Sequence, residues 1–126
     1  MSAFPLQVMD SLIQIGVIGA GTMGRGIAQI AATAGHPVTL VDMKTEALDQ
    51  AMSSLRKVFA RLVEKGRVQP SDAEVILGRI HCSTDLNALN RAGLVVEAIV
   101  ESMSVKSRVF NALESVVPPD CILATN

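Results

Sequence analysis

Three glycines and one aspartate hold the clearest chemistry in this sequence. Gly19, Gly21 and Gly24 form G-x-G-x-x-G, and Asp42 follows 18 residues after the last of them. Residues at this spacing suit a dinucleotide. The first glycine permits a tight turn, the second lets backbone approach a pyrophosphate, and the third lets a helix lie close to a strand. The N–H groups and positive dipole end of that helix favour an anion. Asp42 can accept hydrogen bonds from both hydroxyls of an adenine ribose, and it repels a 2′-phosphate. Such a charge pair at ~4 Å is worth about 1 kcal/mol in water and up to about 4 near a protein surface. Position 43 is Met rather than an arginine that would receive the phosphate, with Lys44 the nearby cation. NAD is therefore favoured over NADP, while FAD enzymes share the glycine fingerprint.

The surrounding elements must position these residues, and they occur in the required order. Ile13, Ile15, Val17 and Ile18 make an apolar run suited to a strand buried on both faces. Residues 22–34 carry Met23, Ile27, Ile30, Ala31 and Ala34 at helical spacing. Gly35 and Pro37 end that helix. Val38–Val41 is a second strand, with Asp42 at its carboxyl end.

The rest of the chain continues the alternation. Leu48, Met52, Leu55, Phe59 and Leu62 step by 4, 3, 4 and 3, which predicts one amphipathic helix over residues 45–65, closed by Gly66. Ser71 and Glu74 form a capping-box pattern opening a short helix through Leu77, with Pro70 ahead of it. A short third strand covers Ile80–Cys82, and a helical turn runs from Asp85 to Asn90. Leu94–Ala98 is an apolar fourth strand. A helix from about Met103 turns Val109, Phe110, Leu113, Val116 and Val117 inward, Pro118 and Pro119 end it, and Cys121–Ala124 is a fifth strand. Strands alternating with helices predict an α/β fold: a Rossmann-type parallel sheet with helices on both faces and a long helical hairpin between strands 2 and 3.

Composition narrows the function classes. The 126 residues fit one domain with a real core, at 49% hydrophobic and 18% charged. A net charge of −1, no Tyr or Trp, and three Phe offer neither a basic field nor a stacking platform for nucleic acid. Cys82 and Cys121 have no metal-ligand spacing and read as buried, inert thiols of a reducing, cytoplasmic setting. No apolar run is long enough to span a membrane. Residues 1–12 read as a short extension before a domain over 13–126, without the pattern of a signal peptide and with Met9 as an alternative start.

The segment VVEAIVESMSVKSRVFNALESVVPPDCILATN (Val95–Asn126), with GVIGAGTMGRGIA and the Val41–Asp42 pair, resembles the 3-hydroxyacyl-CoA dehydrogenases of acyl-CoA metabolism and β-oxidation. The resemblance runs from Ile13 onward. It implies NAD held at Gly19, Ala20, Gly21, Thr22, Met23 and Gly24, with Asp42 on the adenine ribose. Glu101 and Lys106 match the family's E-x-x-x-x-K and would help hold the cofactor; Glu97 is the other acid there, ranked lower. Ser54 and Arg61 match positions on the hairpin that touch the CoA part of an acyl-CoA substrate, although Arg61 stands where Lys is common.

In the family, Asn126 is followed by T-S-S, whose Ser lies in the substrate pocket. The histidine base, its orienting Glu and a helical domain carrying the homodimer contact come later. None of these falls within the chain, so the resemblance implies an NAD-binding piece of a longer enzyme, with no catalytic residue of its own. His36, at a turn opposite the cofactor, and His81, in a short strand, do not replace the missing base. A stand-alone nucleotide-binding module, a related NAD enzyme acting on a sugar acid, and a multifunctional β-oxidation protein are the other readings.

Overall fold

The computed structural model describes residues 13–99 and 103–125. Its elements are β1 (Gln14–Ile18), α1 (Thr22–Thr33), β2 (Val38–Val41), α2 (Thr45–Glu64), α3 (Pro70–Gly78), β3 (Ile80–Ser83), a 3₁₀ turn (Leu86–Leu89), β4 (Ala92–Glu97), α4 (Met103–Glu114) and β5 (Ile122–Thr125). All strand pairs are parallel, in the order β3-β2-β1-β4-β5. The chain first steps outward from β1 to β2 and β3, then returns to the other side of β1. That reversal leaves a crevice between the carboxyl ends of β1 and β4, where open α/β sheets bind ligands.

Period-2 alternation divides the core between the two faces of the sheet. Ile15, Val17, Val38 and Leu40 meet α1, α2 and α3 on one face. Ile18, Val41 and Val95 meet Leu89 and Leu113 on the other. Helices therefore cover both faces, as expected. In α2, Leu48, Leu55 and Phe59 are buried, and Met52 and Leu62 are partly so. Helices α1 and α2 end alike. In α1 the N–H of Gly35 donates to the carbonyl of Ala32 and that of His36 to Ala31; in α2 Gly66 donates to Val63 and Arg67 to Leu62.

Several local expectations are corrected. Helix α1 does not bury Met23, Ile30 and Ala34; its buried side is Gly24, Ala28, Ala31 and Ala32, and Ile30 is 73% exposed. A helix lying tightly on a sheet needs small residues beneath it. Helix α3 has no capping box. Pro70 is its first residue after Gln69, because a fixed φ and a missing N–H suit that position. Strand β4 begins two residues earlier than expected, at Ala92, and Cys121 lies just before β5. Neither thiol is buried: Cys82 is exposed on β3, the edge strand among the described residues, and Cys121 is half-buried.

Candidate functional site

The glycine turn joins β1 to α1 at the crevice. Gly19 has φ +104°, and a Cβ there would stand 2.9 Å from the carbonyl oxygen of Ala98, the residue just after β4. Its N–H donates to the carbonyl of Val41 at 2.8 Å, which ties the turn to β2. At Gly24 a Cβ would lie 1.7 Å from the carbonyl oxygen of Gly19, so only hydrogen lets α1 approach this closely. Gly21 differs. A Cβ there would meet nothing within 4 Å, and Gly21, the residue before α1, has no side chain of its own to cap the helix. The turn thus presents the amino end of α1 with open space at Gly21 before it. Both suit a pyrophosphate.

Asp42 faces the same turn from the end of β2. Its Oδ2 accepts the N–H of Ala20 and its Oδ1 accepts the N–H of Lys44, each at 2.9 Å. The carboxylate is held in place by backbone, and Lys44, not Asp42, precedes α2 as its cap. A carboxylate offers about four acceptor positions, so two remain for ribose hydroxyls. Ala20, expected at the cofactor, is buried and gives its N–H to Asp42. A cleft of about 360 Å³ runs from Met43, Ala47 and Leu86 past Asp42 and Gly21 to Ile99 and Val105. Its apolar end beside Asp42 suits an adenine ring.

At the far side of the crevice, Glu97 is fully buried at the end of β4. Its Oε2 accepts the N–H of Ile99. Its Oε1 accepts the hydroxyl of Thr125 at 2.8 Å and lies 3.5 Å from the ammonium of Lys106. The family resemblance ranks Glu101 above Glu97, yet a carboxylate within the apolar run LVVEA is itself a signal, since a buried charge requires partners.

Residues 14–126 match the family model described as 3-hydroxyacyl-CoA dehydrogenase, NAD binding domain. The chain belongs to this family. Over 114 residues it is 46% identical to a probable 3-hydroxybutyryl-CoA dehydrogenase of Deinococcus radiodurans, covering 90% of this chain and 41% of that protein. It is 40% identical over 119 residues to a 3-hydroxyadipyl-CoA dehydrogenase of Escherichia coli, covering 94% of this chain and 25% of the relative. The crystal structure of a Ralstonia eutropha (S)-3-hydroxybutyryl-CoA dehydrogenase superposes with a TM-score of 0.87 at 32% identity, over 92% of this chain and 41% of that one. The chain thus spans well under half the length of these relatives. It is an NAD-binding domain of the 3-hydroxyacyl-CoA dehydrogenase family, and NAD is its dinucleotide.

The remaining positions implied by the family resemblance are dispersed. Thr22 and Met23 are exposed in the first turn of α1. Lys106 lies in α4 on Glu97, whereas Glu101 lies outside the described residues. Ser54 accepts a hydrogen bond from Arg25 of α1 at 3.3 Å, and Arg61 is exposed farther along α2; neither lines the cleft. His36 is bonded to the carbonyl of Ile13, before β1, and His81 is exposed on β3. Both cysteines also lie away from the cleft. Partial desolvation and then the charge of Asp49 push the Cys82 thiol above its usual value, with Arg56 pulling the other way. Desolvation and then Asp120 raise Cys121.

Proposed function

We propose that this chain is the cofactor-holding part of an L-3-hydroxyacyl-CoA dehydrogenase, which oxidises an L-3-hydroxyacyl-CoA to the 3-oxoacyl-CoA. NAD supplies the hydride acceptor. The turn at Gly19, Gly21 and Gly24, with Thr22 and Met23 beside it, receives the pyrophosphate. Asp42 takes the adenine ribose. Lys106, with Glu101, holds the other half of the cofactor, and Ser54 and Arg61 of α2 take the CoA portion of the substrate. The histidine base with its glutamate, and a helical domain forming a homodimer, belong to the rest of the parent protein. We place that protein in the cytoplasm.

One observation carries this reading: the open space at Gly21 and the backbone-clamped carboxylate of Asp42 border a single cleft at the crevice. The test is a pair of fluorescence titrations with NADH and NADPH. NADH should bind at least about tenfold more tightly, since each 1.4 kcal/mol is a factor of ten and the 2′-phosphate repulsion reaches about 4 kcal/mol near a surface. Asp42→Ala should weaken NADH and narrow the gap. Equal affinities in the wild type would sink the ribose assignment.

A further inference from the structure

Glu97 is the buried charged side chain among the described residues. Burying a carboxylate is unfavourable unless it is paired and hydrogen-bonded, and an apolar residue here would simply extend the core of β4. The bonds made by Glu97 join three separate segments. Oε2 takes the N–H of Ile99, where the chain turns out of β4. Oε1 takes the Thr125 hydroxyl at the end of β5 and the ammonium of Lys106 from α4. The sheet does not need these contacts, because Glu97 and Thr125 are already paired through the backbone ladder.

The position of this junction relative to the cleft gives it a role. A dinucleotide crosses the sheet at the reversal between β1 and β4. With the adenine ribose at Asp42 on the β2 side and the pyrophosphate at Gly21, the nicotinamide end falls over β4 and β5. Ala98 and Ile99, directly after Glu97, and Val105, directly before Lys106, line the cleft there. We propose that Glu97 is a positioning residue for the nicotinamide end of NAD, holding Ile99, Lys106 and the tip of β5 in the arrangement that receives it. Glu97 itself, with no exposed surface, does not touch the cofactor. The inference rests on the NAD site described above.

Calorimetric titration of the full chain with NADH and with ADP-ribose, which lacks nicotinamide, tests it, with thermal melting as a check on folding. Glu97→Gln keeps the size and removes the charge. It should weaken NADH about five- to tenfold, the scale of a lost charge-assisted bond, and leave ADP-ribose within about twofold. In a Lys106→Met background, Glu97→Gln should add less than about twofold, because the two act together. Thr125→Val, which removes one donor to Glu97, should give the same split at about two- to threefold, and it decides the matter if Glu97→Gln does not fold. Equal weakening of both ligands would make Glu97 a general structural group and overturn the proposal, as would no change in either. Wild-type chain that binds neither ligand would instead remove the NAD site and this inference with it.

Discussion

Residue by residue, the three glycines separate packing from binding. At Gly24 an added methyl group collides with the backbone oxygen of Gly19, which has no flexible end to yield. Gly24→Ala should therefore destabilise the chain by about 1–3 kcal/mol, the range for overpacking a closed contact, read as a lower urea midpoint. At Gly21 the methyl group enters empty space at an ordinary backbone angle. Gly21→Ala should change stability by no more than about 1 kcal/mol, the scale of a cap substitution, yet weaken NADH binding by about tenfold or more. If Gly21→Ala bound NADH normally, the pyrophosphate would not pass over this turn. The glycine turn and the place of Asp42 beside it were legible in the sequence because they follow from local geometry. Glu97 shows in the sequence only as a charge in an apolar run; its junction does not, since its partner Thr125 is 28 residues away and meets it only once the strands pair. The cysteines were misread for a similar reason, as an apolar neighbourhood in sequence does not say which strand ends up at the edge. With Cys121→Ser, alkylation of Cys82 should titrate with a midpoint above the ordinary 9.0, because desolvation and Asp49 disfavour the thiolate. Its raised value favours the folded state at lower pH, and that contribution fades as pH rises through the folded midpoint. A midpoint at or below 9.0 would contradict the environment described.

Among the elements, periodicity gave the identity of every helix and strand but did not always give the buried face. In α2 the leucine stripe was both the visible pattern and the packed one, since a long helix over the sheet fills space with large side chains. In α1 Met23 and Ile30 point outward and Ile27 is only partly buried, while glycine and alanine face the sheet, because Gly24 sets the approach. Leu55→Ala should cost about 2–5 kcal/mol, as a fully buried leucine leaves a cavity. Ile30→Ala should stay within about 0.5 kcal/mol, the usual range for an exposed position. Chemical denaturation of the two variants measures both, and a large loss for Ile30→Ala would mean that α1 is rotated from the orientation seen. Helix α3 shows how two signals compete. Ser71 and Glu74 resemble a capping box, but Pro70 suits the first helical position better and takes it.

For the whole molecule, the reversal of strand order brings Asp42, Gly21, Ile99 and Val105 to one cleft from four separate stretches of chain. That convergence was legible as a fold class, because alternating strands and helices with a glycine turn admit few arrangements. Whether it supports catalysis is a question of proton transfer. A general base must lie within hydrogen-bond reach of the proton it accepts. Among the described residues the cleft is lined by no histidine: His36 is bonded near the amino end of β1, and His81 sits on the far edge strand. Asp42 is fixed by two backbone N–H groups at the adenine side, and Glu97 is enclosed by its own partners. The 126-residue chain should therefore bind NADH yet not oxidise it with acetoacetyl-CoA. The absence of tryptophan lets NADH fluorescence be followed with little protein background. A steady loss of that fluorescence, dependent on acetoacetyl-CoA and abolished by Asp42→Ala, would place a proton donor within this chain and overturn the division of labour proposed for the parent enzyme. A stable signal from bound NADH would show cofactor binding without turnover, leaving the acid–base step to residues elsewhere in the parent.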